Sequence, residues 1–466
     1  MSPVTLAALA LADVVAATGG TPSPGAAPLA FSSVSIDSRT LEPGALFVAI
    51  RGPRFDGHEF LAAAAASGAA AALVDHEPLA AAGLPLVRVA DTTRALAELA
   101  RHLRRRAALP LVAVTGSVGK TTTKDMAARL LATRGPVLKT EGNLNNQYGL
   151  PLTLLRLRPE HTAAVVELGM SAPGEIRALA RVAEPDVAII TKIAPVHLEF
   201  FADEDAIAAA KAEILEGLRP GGAAVLNGDD PRLRRVGERF GGRVVWFGHD
   251  RRCDVSAESW LGSASGMRFD LRVEGRSFDV ALPLAGPHFV SNFLAAAAAA
   301  HVLGVAPEAM VEAALGLVPG RHRGELRPLG EGVTLLDDCY NSSPAALEAA
   351  VVALGLLPGR RVAFLGDMLE LGPTGPALHR ERGRALAGRV DAVIGVGPLS
   401  RELVDGAREA GLPADALAHF ASAAQAATAA AGIVRRGDAV LVKASRGLRL
   451  EAVVDALVAR FGEGRG

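Results

Sequence analysis

The sequence predicts an α/β protein of three domains. The chain has 466 residues, and at about 100–200 residues per domain this length suggests three domains. Short apolar segments alternate with helical periods from residue 110 onward, which is typical of a parallel sheet with helices on both faces. The alternation restarts near residue 319, and Pro110 separates it from a more mixed N-terminal region. We therefore expect domains at residues 1–108, 109–318 and 319–466.

The N-terminal region predicts a small α/β head. Its first 15 residues favour an amphipathic helix over a signal peptide, because no basic segment precedes their apolar run and Asp13 interrupts it. An arginine-rich helix is expected at 92–108. The remaining expected elements are strands at 31–37, 45–50 and 71–75 and a helix at 58–69.

The two later regions predict separate sheets. The expected central strands are 111–115, 163–168, 186–191, 223–227 and 244–248. The segment 267–284 alternates polar and apolar residues and predicts an antiparallel hairpin that turns at Glu274-Gly275. The C-terminal region predicts a Rossmann-like α/β domain, a type that binds ligands at the carboxyl ends of its strands. Its expected elements are strands 333–338, 362–367, 392–397 and 439–444, helices 343–357 and 400–410, and a last helix from about Arg446.

Composition excludes several classes of protein. The chain carries 49 basic and 50 acidic residues, so a net charge of -1 gives no reason to expect nucleic-acid binding. Mean hydropathy is high at +0.27, but the longest apolar runs, 61–74 and 293–300, fall short of the roughly 20 residues that cross a bilayer. The two cysteines form no disulfide framework and have no metal-ligand spacing. We expect a cytoplasmic monomer without membrane insertion.

The strongest single motif is VTGSVGKTTTK at 114–124. Its glycines let backbone N–H groups approach phosphate oxygens, and the start of the following helix adds a favourable dipole. Lys120 can pair with β- and γ-phosphates, and the Thr121 hydroxyl can hold Mg²⁺. The motif is a shortened G-x-x-G-K-T, since Val114 stands where the common form has its first glycine. The central region is therefore expected to be a phosphate-loop mononucleotide-binding domain, with hydrolysis-driven motion, kinase transfer and ATP-driven ligation all open.

Three further side chains are candidates for the chemistry. Glu167 ends a predicted strand, and its carboxylate would lie beside the phosphate loop if the two strands are neighbours, where it could hold Mg²⁺. His197 follows the next strand, although a lone histidine is usually structural. Lys211 has small or apolar neighbours in a predicted helix, which would lower its pKa if it points inward. The alternative for Lys211 is a surface lysine whose stem alone is covered.

The chain resembles the Mur ligases over essentially its whole length. The residues that carry the resemblance are ordered motifs at 37–60, 115–124, 140–155, 167–176, 197–201, 337–350, 365–372 and 441–451. The stretches GNLNNQYG and DDCYNSSP separate one branch of the family best, the branch that adds D-alanyl-D-alanine.

The resemblance implies a reaction and its substrates. ATP would phosphorylate the terminal carboxylate of UDP-MurNAc-tripeptide, and D-alanyl-D-alanine would attack the acyl phosphate to give UDP-MurNAc-pentapeptide, ADP and phosphate for peptidoglycan synthesis. The implied cofactors are ATP and Mg²⁺. Two alternatives stay open: a sister Mur ligase or folylpolyglutamate synthase with another acceptor, and a phosphate-loop protein that hydrolyses ATP without ligating.

The resemblance also implies roles for individual residues. In the ATP site these are Gly116, Ser117, Val118, Gly119, Lys120, Thr121, Thr122, Asn292 at the adenine, Arg321 near the γ-phosphate and Asp338 near the ribose. The implied metal ligands are Thr121, Glu167, His197 and Lys211, the last as a carbamate, and the implied catalytic residues are Lys120, Glu167, His197 and Lys211. The implied substrate-binding residues are Ser38, Arg39, Asn341, Ser342, Lys443 and Ser445.

The sequence departs from the pattern of the family at three places. Phe289 stands where asparagine is usual, which removes any side-chain hydrogen bond there. Ser342-Ser343 replaces a common Ala-Asn pair, and Ala444 replaces glycine. None of the three belongs to the predicted phosphate-binding residues.

Overall fold

The computed structural model describes residues 9–24, 28–77, 83–196 and 198–464. The chain forms two compact units that interleave along the sequence. The first comprises Met1–Thr115, Arg134–Ala188 and Ala212–Ala224, and the second comprises Gly116–Thr133, Ile189–Lys211 and Val225–Gly466. The domain boundaries expected near residues 108 and 318 stay predictions.

The N-terminal part of the first unit is a small α/β fold. Its strands are β1 (Leu9–Ala10), β2 (Thr21–Pro22), β3 (Ala30–Phe31), β4 (Val34–Ser35), β5 (Leu46–Val48), β6 (Ala71–Val74) and β7 (Leu86–Arg88), and its helices are α1 (Leu11–Thr18), α2 (Leu61–Ala66) and α3 (Thr92–Ala107). Strands β4 to β7 pair in parallel, and β2 adds an antiparallel edge strand. The predicted strand 31–37 is thus two short strands, and the predicted helix 58–69 begins with a 3-10 turn at Gly57–Phe60.

The chain from Leu111 to Ala314 alternates strands and helices before it forms a hairpin. The strands are β8 (Leu111–Thr115), β9 (Val137–Lys139), β10 (Ala163–Glu167), β11 (Val187–Ile190), β12 (Ala223–Asn227), β13 (Arg243–Gly248), β14 (Val255–Ser263), β15 (Gly266–Val273) and β16 (Arg276–Leu282). The helices are α4 (Lys120–Leu131), α5 (Gly149–Leu154), α6 (Glu175–Ala183), α7 (Glu204–Ala212), α8 (Pro231–Arg239), α9 (Pro287–Val302) and α10 (Pro307–Ala314).

Pairing within each unit follows the predicted pattern. In the first unit β10 pairs in parallel with both β8 and β9. In the second unit β13 pairs in parallel with β14, and β14, β15 and β16 are antiparallel. The hairpin turns at Glu274 (φ 52°) and Gly275 (φ 75°), as predicted. Strands β9 and β14 were not expected from the sequence.

The C-terminal part of the second unit is a doubly covered sheet. Its strands are β17 (Glu325–Pro328), β18 (Thr334–Asp337), β19 (Arg361–Gly366), β20 (Ala392–Val396), β21 (Leu417–Phe420) and β22 (Ala439–Lys443), and its helices are α11 (Pro344–Leu354), α12 (Gly375–Arg384), α13 (Ser400–Glu409), α14 (Ala423–Ile433) and α15 (Glu451–Phe461). The strand order is β17-β18-β22-β19-β20-β21, and only β17 runs antiparallel. The last helix begins at Glu451, because a 3-10 turn occupies Arg446–Leu448.

Alternation along the strands builds a core on each face of this sheet. Ala363 and Leu365 of β19 pack on one side, and Val362 and Phe364 of the same strand pack on the other. Both faces are therefore covered by helices, as a continuously apolar parallel strand requires. The predicted α/β class with parallel sheets is confirmed.

Side-chain caps set several helix starts near the candidate site. Asp230 accepts hydrogen bonds from the amides of Arg232 and Leu233 at the start of α8, and Ser343 accepts one from Ala346 at the start of α11. Within residues 9–24, 28–77, 83–196 and 198–464, no helix has both the length and the apolar character needed to cross a bilayer.

Candidate active site

The loop between β8 and α4 is fixed by the segment that follows β11. Ser117 donates its amide to the carbonyl of Lys192 (2.8 Å) and its hydroxyl to the carbonyl of Ala194 (3.1 Å). Thr191 donates its hydroxyl to the carbonyl of Val118 (2.6 Å). These three bonds hold the predicted phosphate loop in one backbone path.

Two positions of this loop require glycine. Gly116 has φ +146° and Gly119 has φ +84°, a region that L side chains rarely adopt. A Cβ at Gly116 would lie 1.9 Å from Oγ1 of Thr191, and one at Gly119 would lie 2.3 Å from Oδ1 of Asn292. The structure therefore brings Asn292 of α9 against the loop, although its predicted role at the adenine is untested.

The start of α4 supplies positive charge at the end of the loop. Lys120 is the first residue of the helix, and its Nζ donates to the carbonyl of Gly116 at 2.8 Å. Thr121 and Thr122 are half-buried in the same first turn. The amides at a helix start, the helix dipole and an ammonium group together suit an anion such as a phosphate chain. The predicted loop residues thus lie together at the start of one helix, and their role in ATP binding stays a prediction.

Lys211 of α7 points inward, as one of the two interpretations of the sequence proposed. Only 1% of the residue is exposed. Burial lowers the pKa of its amine well below the ordinary value, and the positive charge of Lys120 lowers it further. A lowered pKa increases the share of the neutral amine, which is the form that reacts with CO₂ to give a carbamate.

Glu167 ends β10, which is the direct neighbour of β8. Glu167 lies opposite Val114, so the strand that ends in this carboxylate does neighbour the strand that leads into the phosphate loop, as predicted. Its side chain is buried, and Oε1 accepts a hydrogen bond of 2.8 Å from the amide of Asn145. The backbone amide of Glu167 donates to the hydroxyl of Thr140 (3.0 Å).

Asn145 is a residue that the sequence reasoning missed. The stretch GNLNNQYG identified the branch of the family, but nothing in it showed which of its three asparagines turns inward. Asn145 also accepts a hydrogen bond at its backbone carbonyl from Gly169, so it holds both the carboxylate of Glu167 and the segment after it. His197, the third predicted metal ligand, lies outside the described residues.

The C-terminal candidates cluster at the carboxyl ends of β18 and β22. Lys443 donates to Oδ2 of Asp338 (2.6 Å) and to the carbonyl of Asn341 (3.0 Å). Ser445 donates its hydroxyl to the carbonyl of Ser342 at 3.5 Å and accepts the amide of Leu369 at 3.0 Å. Four of the predicted substrate-binding residues and one predicted ATP-binding residue therefore share one hydrogen-bonded group.

The ionisation of Asp338 reflects two opposing causes. Burial raises the pKa of its carboxyl above the ordinary value, while the positive charges of Lys443 and Arg323 lower it. Burial is the larger of these effects, so the pKa stays above the ordinary value. The two cations limit the rise and favour the ionised carboxylate.

Arg323 rather than Arg321 stands beside this group. Arg321 is exposed. Arg323 places its guanidinium 3.8 Å from the centre of the Tyr340 ring, and its charge acts on Asp338. From the two arginines of the segment RHR at 321–323, the family resemblance implied Arg321, and that assignment stays a prediction.

The two candidates in the head differ in exposure. Ser38 is buried, and its carbonyl accepts the hydroxyl of Ser67 at 3.0 Å. Arg39 is exposed and forms a two-point ion pair with Asp37, which lowers the pKa of that carboxyl to about 2. Their predicted role toward a uridine nucleotide remains a prediction.

The positions that depart from the family pattern are all accommodated by packing. Phe289 and Ser342 are buried. Ala444 is buried too, and a Cβ at Gly366 would lie 2.6 Å from the Ala444 methyl group. The extra methyl at position 444 is thus matched by a glycine on the neighbouring strand.

Comparison with known proteins agrees with this arrangement. Family models match in three consecutive stretches: the Mur ligase family catalytic domain at 30–104, the Mur ligase middle domain at 114–300 and the Mur ligase glutamate ligase domain at 322–446. The UDP-N-acetylmuramoyl-tripeptide–D-alanyl-D-alanine ligase of Escherichia coli strain K12 is 39% identical over 442 residues, which cover 92% of this chain and 94% of the relative.

The chain belongs to the Mur ligase family. Solved structures of family members agree with its fold. The crystal structure of MurF from Acinetobacter baumannii aligns with a TM-score of 0.90 at 32% identity, covering 98% of this Mur ligase and all (100%) of that chain. MurF ligase from Thermotoga maritima in complex with ADP aligns with a TM-score of 0.82 at 30% identity, covering 92% and 97% of the two chains. The family resemblance seen in the sequence is confirmed, and the individual residue roles stay predictions.

Proposed function

We propose that this Mur ligase uses ATP to join D-alanyl-D-alanine to the terminal carboxylate of UDP-MurNAc-tripeptide. The observation that carries the proposal is the similarity to D-alanyl-D-alanine ligases over more than nine-tenths of the chain, 92% for the relative from E. coli. The products are UDP-MurNAc-pentapeptide, ADP and phosphate. The reaction belongs to peptidoglycan precursor synthesis. We propose a cytoplasmic enzyme that acts as a monomer.

The reaction needs two steps that balance in atoms and charge. A carboxylate oxygen of the tripeptide takes the γ-phosphoryl group of ATP, and ADP leaves. The dipeptide amine then attacks the acyl carbon, phosphate leaves as the C–O bond breaks, and the amine loses a proton. Both the carboxylate and the γ-phosphate are anions, so positive charge and fixed alignment lower the barrier of the first step.

The geometry of the phosphate loop supports the binding of ATP. Ser117 and Val118 are tied to the segment after β11, and Lys120 stands at the first turn of α4. We propose that the backbone of 116–122 binds the phosphates, with Asn292 toward the nucleotide and Asp338 toward the ribose. For the cation from the C-terminal part, the resemblance implied Arg321, but the contacts of Arg323 favour that residue.

Mg²⁺ suits the oxygen donors that the residues offer. Hydroxyl and carboxylate oxygens are its preferred protein ligands, and we propose Thr121 and Glu167 for one ion, with His197 for a second. Asn145 orients the Glu167 carboxylate by the hydrogen bond of 2.8 Å. When bound, the ion neutralises phosphate charge and polarises the phosphoryl group.

Lys211 has the properties that carbamate formation requires. Its amine is buried and its pKa is lowered well below the ordinary range by burial and by Lys120. Addition of CO₂ to a neutral amine forms an N–C bond, releases one proton and replaces the neutral amine by a carboxylate-like anion. We propose that this anion serves the second metal and Lys120.

The remaining candidates would contact the other substrates. We propose that Ser38 and Arg39 contact the uridine nucleotide. The hydrogen-bonded group at the ends of β18 and β22 would face the dipeptide or acyl end; its proposed residues are Asn341, Ser342, Lys443 and Ser445.

The test is reconstitution with purified components. Protein, UDP-MurNAc-tripeptide, D-alanyl-D-alanine, ATP and Mg²⁺ should yield pentapeptide by mass spectrometry and one phosphate per product. Omission of the dipeptide should stop phosphate release; release that continues without it would favour an ATP hydrolase. Product formation only with a free amino acid or with glutamate would favour a sister Mur ligase or folylpolyglutamate synthase. Failure with every acceptor would overturn the proposal.

A further inference from the structure

Phe289 packs on the backbone of Gly324. Phe289 lies in the first turn of α9 with 2% of the residue exposed. A Cβ at Gly324 would lie 2.8 Å from Cζ and 3.2 Å from Cε2 of the Phe289 ring. The ring therefore fills the space that a side chain at position 324 would need.

Gly324 controls the placement of its neighbour Arg323. Gly324 has φ +72° and directly precedes β17, so the chain turns there with a backbone conformation that favours glycine. The residue before it, Arg323, stacks on Tyr340 at 3.8 Å and acts electrostatically on Asp338. The carbonyl of His322 accepts the amide of Tyr340 (3.1 Å), so the loop and the segment after β18 form one contact network.

The same helix face also contacts the phosphate loop. Asn292 is three residues after Phe289, and residues three apart on a helix lie side by side. Oδ1 of Asn292 faces Gly119 and is 3.4 Å from the hydroxyl of Thr123, which donates to it. One turn of α9 thus contacts the phosphate loop through Asn292, and it contacts Gly324, the residue after Arg323, through Phe289.

We propose that Phe289 is a positioning residue for nucleotide binding, acting through Gly324 on Arg323. The proposal rests on the proposed function in one respect, since it takes ATP as the ligand of this region. Phe289 stands where asparagine is usual in the family. Its large ring packs on Gly324 and supports the backbone there, which a small polar side chain would not do. The ring of Phe289 contacts the backbone of Gly324, so it acts by fixing the guanidinium of Arg323 relative to the phosphate loop.

The first test compares Phe289→Ala with the conservative variant Phe289→Leu. Binding of the non-hydrolysable analogue adenylyl imidodiphosphate is measured by calorimetry without the other substrates, and KM for ATP and for D-alanyl-D-alanine is measured in the ligation assay. Phe289→Ala should weaken analogue binding and raise KM for ATP by about tenfold, with KM for the dipeptide within about twofold. Phe289→Leu should stay within about threefold of the natural enzyme. A folded Phe289→Ala protein with a lower Tm and unchanged analogue binding would overturn the proposal.

The second test is a double-mutant cycle. Gly324→Ala should weaken analogue binding more than Gly275→Ala, a matched control with φ +75° and no heavy atom within 4 Å of the added Cβ. In the Phe289→Ala background, Gly324→Ala should weaken analogue binding less than it does in the natural protein, because the clash between the added Cβ and the ring is gone. Equal losses in both backgrounds would overturn the proposed contact. If the natural protein binds the analogue but never ligates, the proposed function fails while both binding tests still decide the role of Phe289.

Discussion

The side-chain amide of Asn145 donates a hydrogen bond of 2.8 Å to Oε1 of Glu167. The amide nitrogen can only donate, so this bond fixes the position of one carboxylate oxygen. Groups that orient metal ligands in this way commonly affect metal affinity or activity by about 10–100-fold. Asn145 is therefore a positioning residue for the proposed Mg²⁺ ligand.

We expect Asn145→Ala to lower kcat by about 10–100-fold and to raise the Mg²⁺ concentration needed for half-maximal rate. The assay is ligation rate as a function of Mg²⁺ at saturating ATP. Asn143→Ala is the matched control, because Asn143 is an exposed asparagine of the same stretch. Equal rates for both variants at every Mg²⁺ concentration would show that the contact with Glu167 does not serve the metal.

Burial of the Lys211 amine, which the proposed carbamate requires, lowers the free energy of unfolding. This amine has a pKa well below the ordinary 10.5. Between that ordinary value and the lowered value the unfolded chain binds a proton that the folded chain does not, so stability falls as the pH falls through this window. The cost is complete below the lowered value and disappears above about pH 10.5. Lys211→Met should remove this cost. In buffer purged of CO₂ its Tm should exceed that of the natural protein, by more at pH 7.5 than at pH 9.5.

The same position tests the carbamate. Lys211→Ala should lose ligation activity, and acetate or propionate should restore part of it by replacing the lost anion. With ¹³C-labelled bicarbonate, the natural protein should show a carbamate signal by NMR that both Lys211 variants lack. A Lys211→Ala enzyme with full activity would show that a carbamate on Lys211 is not needed for ligation, whatever the Tm of the variant.

Sequence patterns sufficed for the strands that are apolar throughout and for the phosphate loop. The residues of β8 and β12 were predicted without error because every position in them is buried and a polar residue, Thr115 or Asn227, stands only at the end of each strand. The three-residue strand β9 has one exposed and one half-buried position, and its pattern does not differ from that of a loop. Short edge strands such as β17 and β21 were not predicted for the same reason, because none of their residues is fully buried.

The site could be predicted residue by residue only where a motif fixes the backbone. Gly116 and Gly119 follow from the loop geometry, and the structure gives both the positive φ that the motif implies. The contacts of Asn145 with Glu167 and of Arg323 with Tyr340 could not be predicted from the sequence, because each residue has a chemically identical neighbour and tertiary packing decides which one makes the contact. The packing of Ala444 against Gly366 likewise needs two strands that are distant in sequence.

The choice between Arg321 and Arg323 can be made by experiment. Arg323 stacks on Tyr340 and acts on Asp338, whereas Arg321 is exposed. We expect Arg323→Ala to raise KM for ATP by at least about tenfold, which corresponds to about 1.4 kcal/mol, and Arg321→Ala to change it by less than about threefold. Steady-state ligation rates over a range of ATP concentrations give both numbers, and circular dichroism controls for folding. The reverse order would restore the assignment that the family resemblance implied.

The ion pair between Lys443 and Asp338 sets a dependence of stability on pH. Lys443 is 2% exposed at its side chain and Asp338 is 21% exposed. Lys443→Met should cost about 2 kcal/mol of unfolding free energy, less than the roughly 3–5 kcal/mol typical when a partner is removed from a fully buried pair, since Asp338 keeps some contact with water. Asp338→Asn in the same chain should recover most of this loss, because no buried charge is left alone.

The sign of the pH effect follows from the carboxyl group. Burial already raises the pKa of Asp338, and loss of Lys443 removes a charge that lowers it. The folded Lys443→Met protein therefore takes up a proton at a higher pH than the unfolded chain does, and its deficit relative to the natural protein should shrink as the pH falls. Urea unfolding at pH 8.0 and pH 5.5 measures this difference. A deficit of equal size at both values would mean that Lys443 stabilises the fold through the packing of its aliphatic stem and not through its charge.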